Sequence, residues 1–227
     1  MGPNHRAVFA AEFIGTFAIV FFGVGSVAVG GGSLGLVGIS LTFGLIVGAM
    51  VASLGHVSGA HINPSVTFVM LVTRRIKPPM AGLYVLAQLS GAIAAAYLLR
   101  GVVAEDQWSS VALGTTTVAE GMSATQGLVV EFVLTFFLVL VIFGAAVDPR
   151  GAKLGPLAIG GVVCLLILMG GPLTGASMNP ARTLGPALAS GTWENHWVYW
   201  VGPLLGAVAA AMVYEKVIAP ADAGSED

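Results

Sequence analysis

Two stretches of the sequence, 116 residues apart, repeat one another: Gly59-Ala60-His61-Ile62-Asn63-Pro64-Ser65 and Gly175-Ala176-Ser177-Met178-Asn179-Pro180-Ala181. Each opens a short apolar segment, over Asn63–Val72 and Asn179–Ala189. Asn is a preferred N-cap and Pro is tolerated in the first helical turn, so both segments are predicted to be helices. At ~1.5 Å per residue such a helix spans about half of a ~30 Å hydrocarbon core. The pattern therefore predicts two half-helices.

The composition places these half-helices in a membrane. Of 227 residues 56% are hydrophobic and 9% are charged, whereas soluble domains have ~25% charged residues. Six apolar segments are long enough to cross a bilayer, near Val8–Val29, Leu36–Leu54, Met80–Leu99, Thr125–Val147, Gly155–Gly171 and Trp197–Ile218. The segment after Arg6 exceeds the core of a signal peptide, so we expect it to be a retained first span. The length leaves no room for a further domain, so a single domain is predicted over 1–227.

The spans are also duplicated. Glu12-Phe13 and Thr16-Phe17 recur 119 residues later as Glu131-Phe132 and Thr135-Phe136, and Tyr84 and Gly91 recur 115 residues later as Tyr199 and Gly206. Each half carries three spans, and an odd number inverts the second half relative to the membrane. The predicted fold is therefore all-α and integral to the membrane, with six transmembrane helices, two re-entrant half-helices and an inverted 3+3 repeat. Repeat 1 covers about 6–100, repeat 2 about 124–218, and 219–227 form a flexible acidic tail.

The distribution of basic residues predicts the orientation. If the N-terminus is cytoplasmic, the outer side receives Arg100, and the inner side receives Arg6, Arg74, Arg75, Lys77, Arg150, Lys153 and Lys216. This bias matches the positive-inside rule. Six spans return the C-terminus to the same side, so we expect a multi-pass protein of the cell (inner or plasma) membrane with both termini cytoplasmic.

Several other functions are disfavoured. A net charge of −2 argues against a nucleic-acid partner. The single cysteine, Cys164, and the pair His56 and His61 lack a second ligand cluster, so no metal site and no cofactor are predicted. Ser, His and Asp residues are too scattered for a nucleophilic triad. We do not expect an enzyme.

The irregular backbone before each half-helix suggests a path through the membrane. Non-helical backbone at mid-membrane persists only where it lines a cavity or is buried in protein. Carbonyl groups are therefore predicted to line a water-filled path, from Gly59, Ala60, His61, Gly175, Ala176 and Ser177. The alternative is an ordinary re-entrant turn in which Asn is only a structural cap. Two copies in inverted repeats favour the path.

The chain resembles the aquaporin (major intrinsic protein) family over nearly its whole length, through Ser58–Thr67 and Ser177–Arg182. The first motif departs from the family's Asn-Pro-Ala because Ser65 replaces the alanine, which puts the packing between the half-helices in question. Ile167 stands where water-strict bacterial members usually carry histidine. The resemblance is therefore to a bacterial or archaeal water-channel type with an isoleucine in its selectivity filter.

The resemblance implies roles for individual residues. Asn63 and Asn179 would donate N–H groups to a water at the pore centre, beside the positive half-helix ends. The motif positions are Pro64, Ser65, Pro180 and Ala181. The selectivity ring would comprise Phe43, Ile167, Ala176 and Arg182, although Arg182 could instead extend to the outer interface. Glu12 and Glu131 would accept hydrogen bonds from the backbone before each half-helix.

These roles predict a passive water channel that excludes protons and ions. Ile167 makes the ring wider and less polar, so ammonia, hydrogen peroxide, urea and slow glycerol are expected to pass as well. Thr183 argues against a glycerol channel, because glycerol-conducting members usually have Asp there. Three alternatives stay open: a facilitator whose main solute is glycerol or a similar molecule, a proton-coupled transporter using Glu12 and Glu131, and a structural junction protein. Expected partners are water, small neutral solutes and membrane lipid, and the resemblance implies homotetramers.

Overall fold

The computed structural model describes residues 4–219, and within them the chain is helical and contains no strand. We number the principal helices α1 His5–Gly30, α2 Ser33–Ser58, α3 Pro64–Val72, α4 Pro78–Val102, α5 Ala124–Val147, α6 Gly155–Thr174, α7 Pro180–Ser190 and α8 Val198–Ile218. Six of them, all except α3 and α7, are long and apolar enough to cross a membrane, which confirms the predicted spans to within a few residues. Of the predicted flexible tail over 219–227, all but Ala219 lies outside the described residues.

The helices α3 and α7 are the predicted half-helices. Each begins at a proline and is preceded by an extended asparagine whose side chain accepts backbone hydrogen bonds. Oδ1 of Asn63 accepts from the N–H of Ser65 at 2.8 Å, and Oδ1 of Asn179 accepts from those of Ala181 and Arg182 at 3.1 and 3.3 Å. These bonds satisfy amides that have no partner inside the helix.

Residues that repeat in the sequence occupy equivalent places in the two halves. Helix α1 packs on α4, and α5 packs on α8 in the same way. A side chain at Gly91 would overlap the carbonyl oxygen of Phe13, and one at Gly206 would overlap that of Phe132. Both glycines are therefore required by a close approach of two helix backbones. The duplicated motifs thus reflect a duplicated packing arrangement.

One long segment, residues 103–123, covers the end of the bundle at which α4 ends and α5 begins. It contains the short helix Glu105–Ser110 and a tight turn over Ala112–Gly114. The turn holds Ala112 and Leu113 at φ of 46° and 52°, a region that residues other than glycine seldom adopt. Leu113 is fully buried, and its burial anchors this segment against the helices. We call residues 103–123 the outer loop, after the side on which the predicted orientation places them.

Candidate pore and selectivity site

A cavity of about 270 Å³ lies between the two halves of the molecule. Its lining includes most of the predicted site, namely Phe43, Gly59, Ala60, His61, Asn63, Ile167, Ala176, Ser177, Asn179 and Arg182. Gly175 instead lines a second cavity of about 180 Å³. The two cavities share Phe43, Ile167 and Arg182 in their walls. The second cavity therefore adjoins the first on the side of the outer loop.

The two asparagines cross-link the loops that precede the half-helices. Nδ2 of Asn63 donates to the carbonyl of Met178 at 2.8 Å, and Nδ2 of Asn179 donates to the carbonyl of Ile62 at 2.9 Å. Each Oδ1 already caps its own half-helix, so the carboxamide orientation is fixed at both ends. One N–H of each amide holds the two loops together, and one is left over. Both side chains line the cavity.

A buried carboxylate supports the loop before α3. Glu12, on α1, has no exposed surface and accepts hydrogen bonds from the N–H groups of His61 at 2.9 Å and Ile62 at 2.6 Å. It also accepts from Oγ of Ser58 at 2.7 Å and Nε2 of Gln88 at 2.8 Å. A buried charge is tolerated only when it is satisfied in this way. Four donors therefore fix the loop to α1 and α4.

The second carboxylate supports the loop before α7 with one donor fewer. Glu131, on α5, accepts from the N–H groups of Ser177 at 2.9 Å and Met178 at 2.8 Å, and from Oγ1 of Thr174 at 2.7 Å. The position equivalent to Gln88, 115 residues later, is Pro203. Proline offers no side-chain donor, so three hydrogen bonds take the place of four.

These bonds also determine where the loop carbonyls point. A peptide unit is planar and trans, so its C=O points away from the partner of its N–H. The N–H of His61 points at Glu12, so the carbonyl of Ala60 points away from Glu12. The N–H of Ile62 also points at Glu12, so the carbonyl of His61 points away from it as well. The N–H of Ala60 donates to Ser58 at 3.0 Å, which orients the carbonyl of Gly59.

The same geometry recurs in front of α7, where Ala176 donates to Thr174 at 3.2 Å and the next two amides bind Glu131. The carbonyls of Gly175, Ala176 and Ser177 are therefore oriented in the same way. Ala176 and Met178 are held at φ of 46° and 55°. Such strain persists only where the surroundings hold it, and it is characteristic of functional sites.

All four residues expected to form a ring line the larger cavity, and one of them is Arg182. This side chain is 4% exposed, and it is buried in the cavity wall rather than extended outward. Its Nη1 donates to the carbonyl of Gly114 in the outer loop at 2.9 Å, and its guanidinium lies 5.2 Å from the ring centroid of Phe43. Among the described residues its Nε has no partner. Ile167 and Ala176 line the same cavity.

Sequence reasoning missed the counterpart of this ring in the other repeat. A shift of 116 residues relates the ring to Ile159, Val51, Ala60 and Val66, all of which line the larger cavity. We call these four residues the inner ring, after the predicted orientation, and none of them is charged or aromatic. The repeat spacing alone could have revealed it. Gln88 and the carbonyl of Gly114 were also missed, because nothing local in the sequence marks a long-range hydrogen-bond partner.

The fold is that of a membrane channel. Six helices are long enough to cross a membrane, and residues from both half-helices and their preceding loops line one internal cavity. A family model described as "Major intrinsic protein" matches residues 3–214. Aquaporin TIP4-4 of Zea mays is 47% identical over 221 residues, covering 92% of this chain and 85% of the relative. Aquaporin-4 of Mus musculus is 45% identical over 218 residues, covering 93% and 67%. The chain belongs to the major intrinsic protein family, that of the aquaporins.

A solved structure leads to the same fold. The aquaglyceroporin from Plasmodium falciparum superposes with a TM-score of 0.82 at 28% identity, over 96% of this chain and 98% of that one. The protein is thus a multi-pass membrane channel for water and small solutes, of a family of channels rather than enzymes. Aquaporin TIP4-4 and Aquaporin-4 come from a plant and an animal, so the bacterial or archaeal type and the isoleucine filter stay predictions.

Proposed function

We propose that the protein is a passive water channel whose narrowest part is the ring of Phe43, Ile167, Ala176 and Arg182. The observation that carries this proposal is the buried guanidinium of Arg182 in the cavity wall, with an Nε that no described protein group satisfies. A buried donor without a protein partner is costly unless a permeating molecule binds it. Water supplies the acceptor oxygen.

The asparagine pair and the N-terminal ends of the half-helices account for the exclusion of ions and protons. The leftover N–H groups of Asn63 and Asn179 donate to a passing water, which turns its oxygen toward them. A water held by two donors relays protons poorly, and the N-terminal ends of α3 and α7 add a positive potential that repels cations. The carbonyls of Gly59, Ala60, His61, Gly175, Ala176 and Ser177 accept hydrogen bonds from the waters on either side.

The ring also suggests which other solutes pass. The apolar side chains of Ile167 and Ala176 line the same cavity as Arg182, and an apolar wall tolerates solutes with a CH₂ face. We infer that ammonia, hydrogen peroxide and urea pass beside water, and that glycerol passes slowly. A facilitator with glycerol or a similar solute as its main substrate is the second candidate, favoured by the mainly apolar lining of the larger cavity.

A proton-coupled transporter is disfavoured by the two carboxylates. All four carboxylate oxygens of Glu12 and Glu131 accept hydrogen bonds from loop or helix donors. A proton relay would have to break these bonds at each cycle. The carboxylates therefore act as loop supports.

We further propose that the protein forms homotetramers in the cell membrane, with both termini in the cytoplasm.

Shrinkage of proteoliposomes after an osmotic step tests the proposal. Stopped-flow light scattering should give a water permeability well above that of protein-free vesicles, with a lower activation energy. The rate should not depend on a pH gradient, and no current should appear in planar bilayers. A requirement for a pH gradient would favour the transporter, and permeability equal to that of protein-free vesicles would favour a structural role.

A further inference from the structure

Arg100, at the end of α4, joins three parts of the outer surface. Its Nη1 donates to the carbonyl of Ala189 at 2.7 Å, in the last turn of half-helix α7. Carbonyls at a helix C-terminus lack helical partners and form the negative end of its dipole, so a cation is favourable there. The guanidinium also lies 5.0 Å from the ring centroid of Trp108, in the outer-loop helix Glu105–Ser110.

The same loop then reaches the selectivity ring. Beyond Trp108 it supplies the carbonyl of Gly114 that binds Arg182. Oγ1 of Thr116 lies 2.8 Å from Oγ1 of Thr183, at the start of α7. Oγ1 of Thr115 lies 3.0 Å from Oγ of Ser190, at its end. The outer loop is therefore fastened to both ends of α7, and Arg100 is its cationic anchor.

A similar contact on the inner side joins a half-helix to a membrane span, but it is not linked to the selectivity ring. The counterpart of Arg100, 115 residues later, is Glu215. Its Oε1 lies 2.5 Å from Nη1 of Arg75, which follows half-helix α3, and the guanidinium of Arg75 lies 5.1 Å from the ring centroid of Phe143. Each half-helix is thus tied at its far end to the last span of the opposite repeat. Of these two contacts, the one made by Arg100 is linked to Arg182, through the outer loop.

We propose that Arg100 is a positioning residue for solute selectivity. By holding Trp108 and the end of α7, it keeps the Gly114 carbonyl on Arg182, which fixes the guanidinium in the ring. Without this anchor the guanidinium gains alternative positions, and the opening admits wider solutes. The inference rests on the proposed channel function and adds a residue that is outside the cavity to those that determine selectivity.

The test compares Arg100→Met with the wild type in proteoliposomes. Methionine keeps most of the apolar length and removes the charge and the donors. We expect the ratio of urea to water permeability to rise about threefold, as expected for the loss of one hydrogen bond, with water permeability itself little changed. A ratio is insensitive to the fraction of channels that reconstitute, so a merely structural defect would not move it. Glu215→Gln, at the equivalent inner position, is the control and should leave the ratio unchanged.

Hydrogen exchange supplies a readout that does not depend on transport. Amides of residues 105–119 should exchange faster in Arg100→Met than in the wild type, and those of α3 should not. If Arg100→Met does not fold, Trp108→Leu takes its place with the same expectations. An unchanged permeability ratio overturns the proposal. If the wild type carries no water at all, the proposed function fails, and the exchange rates alone decide whether Arg100 positions the loop.

Discussion

The loops before α3 and α7 share one scaffold and differ in the side chains they present to the cavity. Each is held by a buried carboxylate, each ends in an asparagine that caps a half-helix, and each asparagine binds the other loop. Three residues after that asparagine, however, the first repeat carries Val66 and the second repeat carries Arg182. Duplication supplies the geometry of a channel, and we propose that a few unequal positions place its selectivity on one side.

A second difference concerns how firmly the two loops are supported. Gln88 donates to Glu12 at 2.8 Å and to Thr67 at 2.9 Å, whereas its counterpart Pro203 cannot donate. In the second repeat, Thr116 and Gly114 of the outer loop instead contact Thr183 and Arg182 at the start of α7. The inner site is therefore supported by the membrane helices, whereas the outer site is supported by α5 through Glu131 and by the outer loop as well.

Asn179→Asp should have the largest effect, because it alters the asparagine cross-link between the two halves. A carboxylate oxygen would replace Nδ2 opposite the carbonyl of Ile62, so two acceptors would face each other. The loss of a buried hydrogen bond costs about 1–3 kcal/mol, and the new negative charge attracts cations. We expect a lower thermal midpoint and cation leakage from vesicles. Asn63→Asp should behave in the same way, and unchanged water flow with intact cation exclusion would contradict the central-donor role.

Glu131→Gln should destabilise the protein more than Glu12→Gln does. In either variant the new amide faces backbone donors, and an unsatisfied buried N–H costs about 1–3 kcal/mol. Beside Glu12, however, Oε1 of Gln88 has no partner among the described residues and can accept from the new amide once its own amide turns. Thermal unfolding in detergent would measure both midpoints. Equal midpoints would show that Gln88 makes no difference between the loops.

Ile167→His should narrow the ring and add a donor beside Arg182. Steric exclusion increases steeply with solute width, so we expect urea and glycerol uptake to fall several-fold more than water uptake. Val51→His makes the same change at the equivalent inner position, where no arginine is present, and should lower the ratio of urea to water uptake less than Ile167→His does. Paired stopped-flow traces for water and urea on both variants would decide. A common reduction of all fluxes by Ile167→His would mean that this residue does not set selectivity.

Ser65→Ala should have the smallest effect. The hydroxyl of Ser65 is fully buried and has no partner among the described residues. Removing an unsatisfied buried hydroxyl is neutral or stabilising by up to about 1 kcal/mol. Water permeability should stay at the wild-type value, and the thermal midpoint should stay or increase slightly. A clear loss of permeability would indicate that this hydroxyl takes part in conduction.

The fold was predictable because its signals are local and duplicated. Apolar length identifies the six spans, and Asn63-Pro64 and Asn179-Pro180 identify the half-helix starts through cap chemistry. The cross-links between the halves were not predictable, since the carbonyls of Ile62 and Met178 carry no sequence signal and meet the asparagines only in the folded protein. Gln88 was missed for the related reason that its counterpart is a proline, so the repeat comparison passes over it.

Arg182→Val provides the most direct test, because it copies the residue of the inner ring into the outer one. The variant removes the charge that distinguishes the two rings and leaves the asparagine pair intact. In proteoliposomes we expect water permeability to stay within about twofold of the wild type, whereas the ratio of urea to water permeability increases about tenfold, as for the loss of one charged hydrogen-bonding group. A ratio equal to that of the wild type would contradict the account, because selectivity would then not reside in the one charged position that distinguishes the two rings.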